Sequence, residues 1–484
     1  MCYNKSMKIP EFIENLIRQI EAAGFEAYIV GGCVRDLIME KEPKDWDMTT
    51  NALPEQVLDI FEEGKYENSF GTVLLPIRDH EGKVLSVVEI TTYRSEQGYS
   101  DRRRPDEVVF EKELDKDLER RDFTINSLAM DLRGNIVDLF GGQKDIKKRI
   151  IRAVGEPTDR FREDALRMMR AVRFSCQLDF EIEEKTMRAI VKHAGSIKFI
   201  ASERIGEELK KIMQSDRAYE GIMLLHEAKL LQYIIPELER GVGVNQNKHH
   251  IFSVWKHNTL SLKYCPNLDW RVRMASLLHD IGKPETKTLV KGDFTFYNHE
   301  YVGERMTRKI MRRLKYSNED VDRVTNLVRN HMFYYNVDEV TEASVRRLIK
   351  KVGKENLKDL IDIRIADRLG SGVPKAKPYK LRHLEYMMDK VQNDPVSVKM
   401  LKINGDELMP LLGIAPGPKI GAILDVLLSE VIEDPELNNK EYLEKRSFEL
   451  NESNLEELRE QAKDKIEEKR EVDDKKLRRG RRVA

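Results

Sequence analysis

Apolar positions in the first part of the chain fall in short runs between Gly, Pro and Asp. Ala27–Val30, Thr72–Ile77, Val84–Thr91 and Ile136–Leu139 are predicted as strands. An amphipathic helix is predicted ahead of them, from Ile9 to about Ala23. From about Asp159 the apolar spacing is helical nearly to the end. The N-terminal part therefore reads as α+β and the remainder as mostly α. Breaks are expected near Gly155-Glu156-Pro157, near Gly241-Val242-Gly243 and around Gly370–Pro378. Beyond about Asn451 the chain is almost wholly polar, and Leu455, Leu458, Ala462 and Ile466 have the spacing of one more helix.

Composition adds boundaries to this picture. The chain has 484 residues, 40% apolar and 35% charged, which suits two to four soluble domains at roughly 100–200 residues each. The formal net charge is −1, so a nucleic-acid partner would need local basic patches. Arg102-Arg103-Arg104, Lys147-Lys148-Arg149 and the run Lys475–Arg482 are the candidates. The last of these is either a solvated tail or a basic arm. Cys2, Cys33, Cys176 and Cys265 lack any CxxC spacing, which speaks against a thiolate zinc site and fits a reducing cytosol. No signal-peptide pattern and no apolar run of membrane-spanning length is found, so a cytoplasmic location is expected.

Two features near the N-terminus carry chemistry. Gly31-Gly32 follows the first predicted strand, and Val34-Arg35-Asp36-Leu37 then opens a helix. Glycines at such a turn let backbone N–H groups approach a phosphate, and Arg35 adds a cation. Asp45-Trp46-Asp47 comes next, expected in an extended strand with both carboxylates on one face, roughly 6.5–7 Å apart. Two such carboxylates suit Mg²⁺. Glu89 is the candidate third carboxylate. Alone, an Asp-x-Asp pair is most often a surface loop; the glycine turn just upstream changes that reading.

Gly31-Gly32-Cys33-Val34-Arg35-Asp36 followed by Asp45-Trp46-Asp47 resembles the signature of the class II tRNA nucleotidyltransferase and bacterial poly(A) polymerase superfamily. Four further blocks agree in order: Thr91–Arg94 with Tyr99, Asp101 and Arg103–Pro105; Arg120–Asn126; Arg160–Arg167 continuing through Arg170 and Arg173; and Ser202–Arg204 with Glu208-Leu209. The resemblance implies that Gly32 and Arg35 contact a nucleoside triphosphate and that Asp45 and Asp47 are catalytic and bind Mg²⁺. It places Arg121, Asp122, Asn126, Asp164, Arg167, Arg170 and Arg173 in the nucleotide pocket.

Asp164 and Arg167 are three apart, hence neighbours if both lie on one helix surface. A carboxylate only accepts and a guanidinium only donates. Cytosine and adenine both present an amino donor beside a ring-nitrogen acceptor, and guanine and uracil present the reverse. The pair is expected to accept CTP and ATP and to reject GTP and UTP; the alternative is an ordinary surface ion pair.

His257, His279-Asp280 and Asp367, with His299 and His331 between, resemble the HD phosphohydrolase superfamily. Imidazoles and carboxylates in that order suit a divalent metal of unspecified identity, and His299 and His331 allow a second one. Ile403–Asp406 and Pro416–Gly421 look like the tail of bacterial CCA-adding enzymes, where the turn either offers N–H groups to an RNA phosphate or is a plain interhelical turn.

The resemblance implies a polymerase-β-like mixed sheet with helices in a nucleotidyltransferase head (1–150). All-α neck (151–240), HD (241–378) and tail (379–450) domains follow, then a charged arm (451–484). The implied activity is CCA addition to tRNA from CTP and ATP, with a possible hydrolytic HD domain. Alternatives are an A-adding-only enzyme or poly(A) polymerase, and an HD phosphohydrolase whose head only binds nucleotide. Oligomeric state is not readable from the sequence.

Overall fold

The computed structural model describes residues 9–68, 71–97, 107–246, 251–333, 335–337, 341–392 and 401–459. The expected residues Tyr99, Asp101 and Arg102–Pro105 and the basic arm Lys475–Arg482 lie outside the described residues.

The helix Glu11–Ala22 buries Ile13, Leu16, Ile17 and Ile20, the one-face pattern its spacing predicts. Nine strands follow: β1 (Ala27–Val30), β2 (Asp47–Thr50), β3 (Lys65–Asn68), β4 (Thr72–Arg78), β5 (Val84–Thr92), β6 (Arg94–Gln97), β7 (Glu107–Phe110), β8 (Ala129–Met130) and β9 (Ile136–Val137). Seven make one mixed sheet in the order β3-β4-β5-β2-β1-β8-β9, and β6–β7 is a separate ribbon. Within the sheet β2 and β5 run parallel, in a register that sets Asp47 opposite Glu89 and Met48 opposite Ile90. β9 stops at Val137, short of the predicted Leu139.

From Pro157 the described chain is helical apart from three short strands, Glu181–Ile182, Thr288–Val290 and Asp293–Thr295. The helix Leu166–Leu178 packs on Ser202–Gln214 and Ala218–Glu227. Val254–Lys263, Trp270–Leu278, His299–Arg313 and Asn318–Asn330 form the next helical cluster. Met274, Ala275, Leu277 and Leu278 are fully buried there, so the chain that ends at His279 is fixed by its packing.

Contacts divide the chain into two compact units, residues 1–331 with 362–373, and residues 332–361 with 374–484. In the second unit the helices Gly405–Leu412, Pro418–Glu433 and Lys440–Asn451 enclose Leu408, Ile423, Leu427 and Leu443. Asn404 opens the first of these with a reciprocal cap: its side chain accepts from the Glu407 N–H at 3.0 Å, and Glu407 accepts from the Asn404 N–H at 3.0 Å.

Candidate active site and metal centre

β1 ends at Val30, and Gly31 follows with a φ of 82°, the left-handed conformation that glycine permits. The chain turns there into the short helix Gly32–Ile38, so β2 loses its partner above Asp47. Asp45 therefore sits in a bend ahead of β2 rather than in the expected strand. Trp46 is buried, Asp45 exposed and Asp47 half-buried. A Cβ on Gly31 would stand 3.0 Å from Arg121 Nη1 and 3.9 Å from Asp47 Oδ2, so the turn is packed against this group.

Burial pushes the Asp47 carboxyl above its ordinary value; Asp45 adds to the rise and Arg121 opposes it. Glu89 is raised for the same reason, by burial and then by Asp47, Glu67 and Asp45. Asp47 and Glu89, each raised in part by neighbouring carboxylates, are short of positive charge, and an oxygen-ligated divalent cation fits that deficit. Glu89, reached in the sequence only as a weak candidate, is placed by strand register.

Several of the residues expected around a nucleotide lie on or against the helix Leu166–Leu178. Arg35 is buried, ion-paired to Asp36 at 2.7 Å and bonded through Nη1 to Asn126 Oδ1 at 2.8 Å. Asp122 accepts from Arg170 at 2.6 Å, from Asn126 at 3.3 Å and from the Phe123 N–H at 2.9 Å. Burial opposes charge on Asp122, but Arg170 and Arg167 outweigh it and hold the carboxyl below the usual range. Arg173 pairs with Glu208 at 3.1 Å.

Phe174 lies beneath three of these cations, with Arg173 4.2 Å, Arg170 5.4 Å and Arg35 5.6 Å from its ring centre. Sequence reading missed Phe174, as it missed Asp117. Asp117 is fully buried and binds Arg120 at 2.7 Å and Arg121 at 3.1 Å, aiming Arg121 beside Asp47. An acidic residue three and four positions ahead of two arginines is a signal that could have found it.

Asp164 and Arg167 are not neighbours on one helix surface. The helix Pro157–Glu163 ends and Asp164 is extended, with φ −136° and ψ 106°. Its Oδ1 accepts from the Leu166 N–H at 2.9 Å, starting the next helix, a competition that short carboxylates commonly win against helix continuation. Asp164 Oδ2 binds Arg204 at 2.8 Å. Arg167 binds Glu163 at 2.5 Å and the Arg120 carbonyl at 2.9 Å. Each is held by a different partner, so the simple ion-pair alternative is not what forms.

The second constellation is compact and buried. His257, His279, Asp280, His299 and His331 are each under 8% exposed. Asp280 Oδ2 lies 3.1 Å from His257 Nε2 and 3.3 Å from His279 Nε2. Its Oδ1 lies 3.2 Å from His299 Nε2 and 3.6 Å from His331 Nε2. Asp367 Oδ1 stands 3.4 Å from His257 and 3.9 Å from His279. Lys283 Nζ approaches Asp280 Oδ2 at 2.5 Å and Gln246 at 2.7 Å. Sequence reading did not pick out Lys283.

The Nδ1 atoms of His279, His299 and His331 donate to the carbonyls of Ser276, Phe296 and Val328 at 2.8, 2.7 and 2.7 Å. That fixes each Nδ1 as the protonated nitrogen and turns the Nε2 lone pair inward. His299 and His331 then face each other Nε2 to Nε2 at 3.3 Å, and His257 and His279 at 3.0 Å. The Nε2 lone pairs of His299 and His331 therefore oppose each other, and the donor set of imidazoles and carboxylates suits a transition metal. Two groups meet the distances of a metal site among the described residues: His257–His279–Asp280 and Asp280–His299–His331. Burial works against charge on His257, but Asp280 and Asp367 override it and raise its pKa to about 9. Asp280 is held well below the carboxylate range despite burial, by Lys283 and the imidazoles.

Residues 27–152 match the Poly A polymerase head domain, residues 179–241 the probable RNA and SrmB-binding site of polymerase A, and residues 256–371 the HD domain. The CCA-adding enzyme of Enterococcus faecalis is 33% identical over 439 residues, which cover 88% of this chain and 93% of that protein. The chain belongs to the CCA-adding enzyme family. Within this family the CCA-adding enzyme of Lactobacillus helveticus is 52% identical over 211 residues, a match that spans about half the relative's length (51%) and 42% of this chain. The crystal structure of the Bacillus stearothermophilus CCA-adding enzyme in complex with CTP superposes with a TM-score of 0.60 at 29% identity, covering 92% of this chain and 98% of that one. The mixed sheet followed by a helical body is the family's fold.

Proposed function

We propose that the chain adds C, C and A without a template to the 3′ end of tRNA, from CTP and ATP with release of pyrophosphate, in the cytoplasm. The observation that carries this reading is the break at Asp164. The acceptor Asp164 is held by Arg204 and the donor Arg167 by Glu163 and the Arg120 carbonyl, so acceptor and donor have fixed, separate supports. Facing the amino group and ring nitrogen of cytosine or adenine, both are satisfied. Guanine or uracil sets acceptor against acceptor and donor against donor, at about 1–3 kcal/mol for each group left unpaired.

Asp45 and Asp47, with Glu89 beside them, would hold Mg²⁺, which when bound lowers the pKa of the RNA 3′-hydroxyl and steadies the departing pyrophosphate. Arg35 and the Gly32 turn bind the triphosphate. Arg121, aimed by Asp117, keeps positive charge next to Asp47. Asp122, Arg170 and Arg173 fix the pocket wall against Phe174. The division into head (1–150), neck (151–240), HD domain (241–378), tail (379–450) and arm (451–484) assigns chemistry to the first, base choice to the second and tRNA grip to the last two. Family membership across 88% of the chain favours CCA addition over A-only addition. The deciding experiment offers labelled CTP and ATP to tRNAs lacking the terminal triplet, carrying one C, and carrying two. Addition only to the last would leave an A-adding enzyme.

A second activity, hydrolysis of a phosphoester at the HD centre, is favoured by Asp280, whose two oxygens serve two imidazole pairs. A divalent metal there, held by His257, His279, Asp280 and Asp367 with a second on His299 and His331, would supply an activated water. Lys283 holds the shared carboxylate in place. Metal content of His279→Ala and Asp280→Ala proteins tests the site, and unchanged stoichiometry removes it.

A further inference from the structure

The helix Ser202–Gln214 carries two supports of the base-reading region on one side. Arg204 holds Asp164 at 2.8 Å, and Glu208 holds Arg173 at 3.1 Å. At about 100° per residue these two side chains lie together, and Gly206, Lys210 and Met213 lie about half a turn round the helix. That opposite side meets residues of the HD domain. Gly206 is buried, and a Cβ added there would run into the Leu314 carbonyl oxygen, so the two backbones come this close only because the residue is glycine.

Two helices build this contact. His299–Arg313 ends at a left-handed Lys315, with φ 61°, and the Tyr316 N–H returns to the Met311 carbonyl at 3.2 Å. The turn brings Tyr316 onto the helix Ser202–Gln214, where its hydroxyl donates to the Gly206 carbonyl at 2.8 Å. The tyrosine ring packs on Trp270 at 5.0 Å between centres, and Lys210 lies 5.5 Å from the Trp270 ring centre. Burial raises the Tyr316 pKa, so the hydroxyl stays a donor. From Trp270–Leu278, the buried Arg273 donates to the carbonyls of Met213 and Ser215 at 2.8 and 2.6 Å, closing the end of the same helix, where a cation is favoured.

We propose that Tyr316, with Arg273, is a positioning residue for nucleotide choice: the two clamp Ser202–Gln214 from behind, and that helix fixes Asp164 through Arg204 and Arg173 through Glu208. The proposal rests on the base-reading assignment of Asp164 above. Apolar packing would hold the helix against the HD domain without setting its register. A hydroxyl and a guanidinium directed at three backbone carbonyls set register as well, because hydrogen bonds are directional. A helix fastened at its middle and its end shifts only by breaking these bonds, and Arg204 and Glu208 shift with it. Once it is loosened, Asp164 can retreat from the uracil carbonyl, and rejection of UTP weakens.

The test measures single-nucleotide addition by the full chain to a tRNA lacking the terminal triplet, with CTP and with UTP, beside urea unfolding. Tyr316→Phe keeps the ring on Trp270 and removes only the hydroxyl. It is expected to lower kcat/KM for CTP relative to UTP about threefold, within the contribution of one net hydrogen bond. Gly206→Ala is expected to lower the ratio further, because the Leu314 carbonyl must move. Val324→Ala, at a fully buried position outside the clamp, is expected to lower the urea midpoint and leave the ratio unchanged. An unchanged ratio in Tyr316→Phe, or an equal fall in Val324→Ala, overturns the role of Tyr316 and leaves the base-reading assignment. No preference for CTP over UTP in the unaltered protein overturns that assignment and the clamp with it.

Discussion

Replacing Asp164 by Ala removes the only acceptor in the proposed base-reading pair. For cytosine the amino group then loses its partner, which costs about 1–3 kcal/mol, or about 5- to 150-fold in kcat/KM for CTP and ATP. For uracil the change relieves an acceptor–acceptor clash of similar size, so discrimination falls by both amounts together. The structure also predicts what else the substitution disturbs. Asp164 Oδ1 accepts the Leu166 N–H at 2.9 Å, a cap whose loss destabilises by about 1 kcal/mol. Arg204 loses its 2.8 Å partner, but its side chain is 32% exposed and water replaces much of that bond. Asp164→Ser separates the effects, since a serine hydroxyl keeps the cap without supplying a carboxylate. The assay adds one nucleotide to a tRNA lacking the triplet, with each of four labelled triphosphates, alongside urea unfolding. Both variants are expected to incorporate UMP, and only the alanine variant to lose stability. Intact rejection of UTP and GTP in both would refute the assignment of Asp164 to base reading.

Asp47→Ala is expected to abolish nucleotide addition while hydrolysis at the HD centre persists; loss of both in one assay pair would mean that the two sites are not independent. Glu89→Gln should lower kcat for addition with little change in fold, because the register opposite Asp47 is set by backbone pairing; an unaltered rate with titrated Mg²⁺ would remove Glu89 from the site. Asp122→Asn leaves Arg170 without its counter-charge; because that guanidinium is 34% exposed and water replaces part of the pair, the cost should be about 1–2 kcal/mol of stability at neutral pH, read as a lower urea midpoint. The pH sign follows from the depressed Asp122 carboxyl: its stabilisation is complete above the unfolded value of about 3.9 and is lost as pH falls towards the lower folded value, so the gap between the two proteins should narrow in acid.

Much of the protein was legible in residue order. The alternation of apolar and polar positions placed β1, β4 and β5 nearly to the residue, because one face of each strand must be buried wherever it pairs. The Gly-Gly turn, Asp45, Asp47 and the histidine series stood out as candidates by residue type, since few side chains can hold a cation or admit a phosphate. Local geometry was less secure. Asp45 lies outside β2 because β1 turns away at Gly31, a fact of pairing between distant strands. Asp164 leaves the helix because its own carboxylate caps the next one.

What only the tertiary structure decided are the partnerships. Glu89 meets Asp47 through a parallel register between strands about 40 residues apart. Arg204 reaches Asp164 across 40 positions, and Asp367 reaches His257 across more than a hundred. Phe174 lies under Arg35, Arg170 and Arg173, and nothing in its neighbours in sequence marks it out. The sequence by itself determined which groups could bind, donate or accept. Packing determined which groups face one another, because a charge taken out of water is stabilised only by the particular group that the fold sets against it.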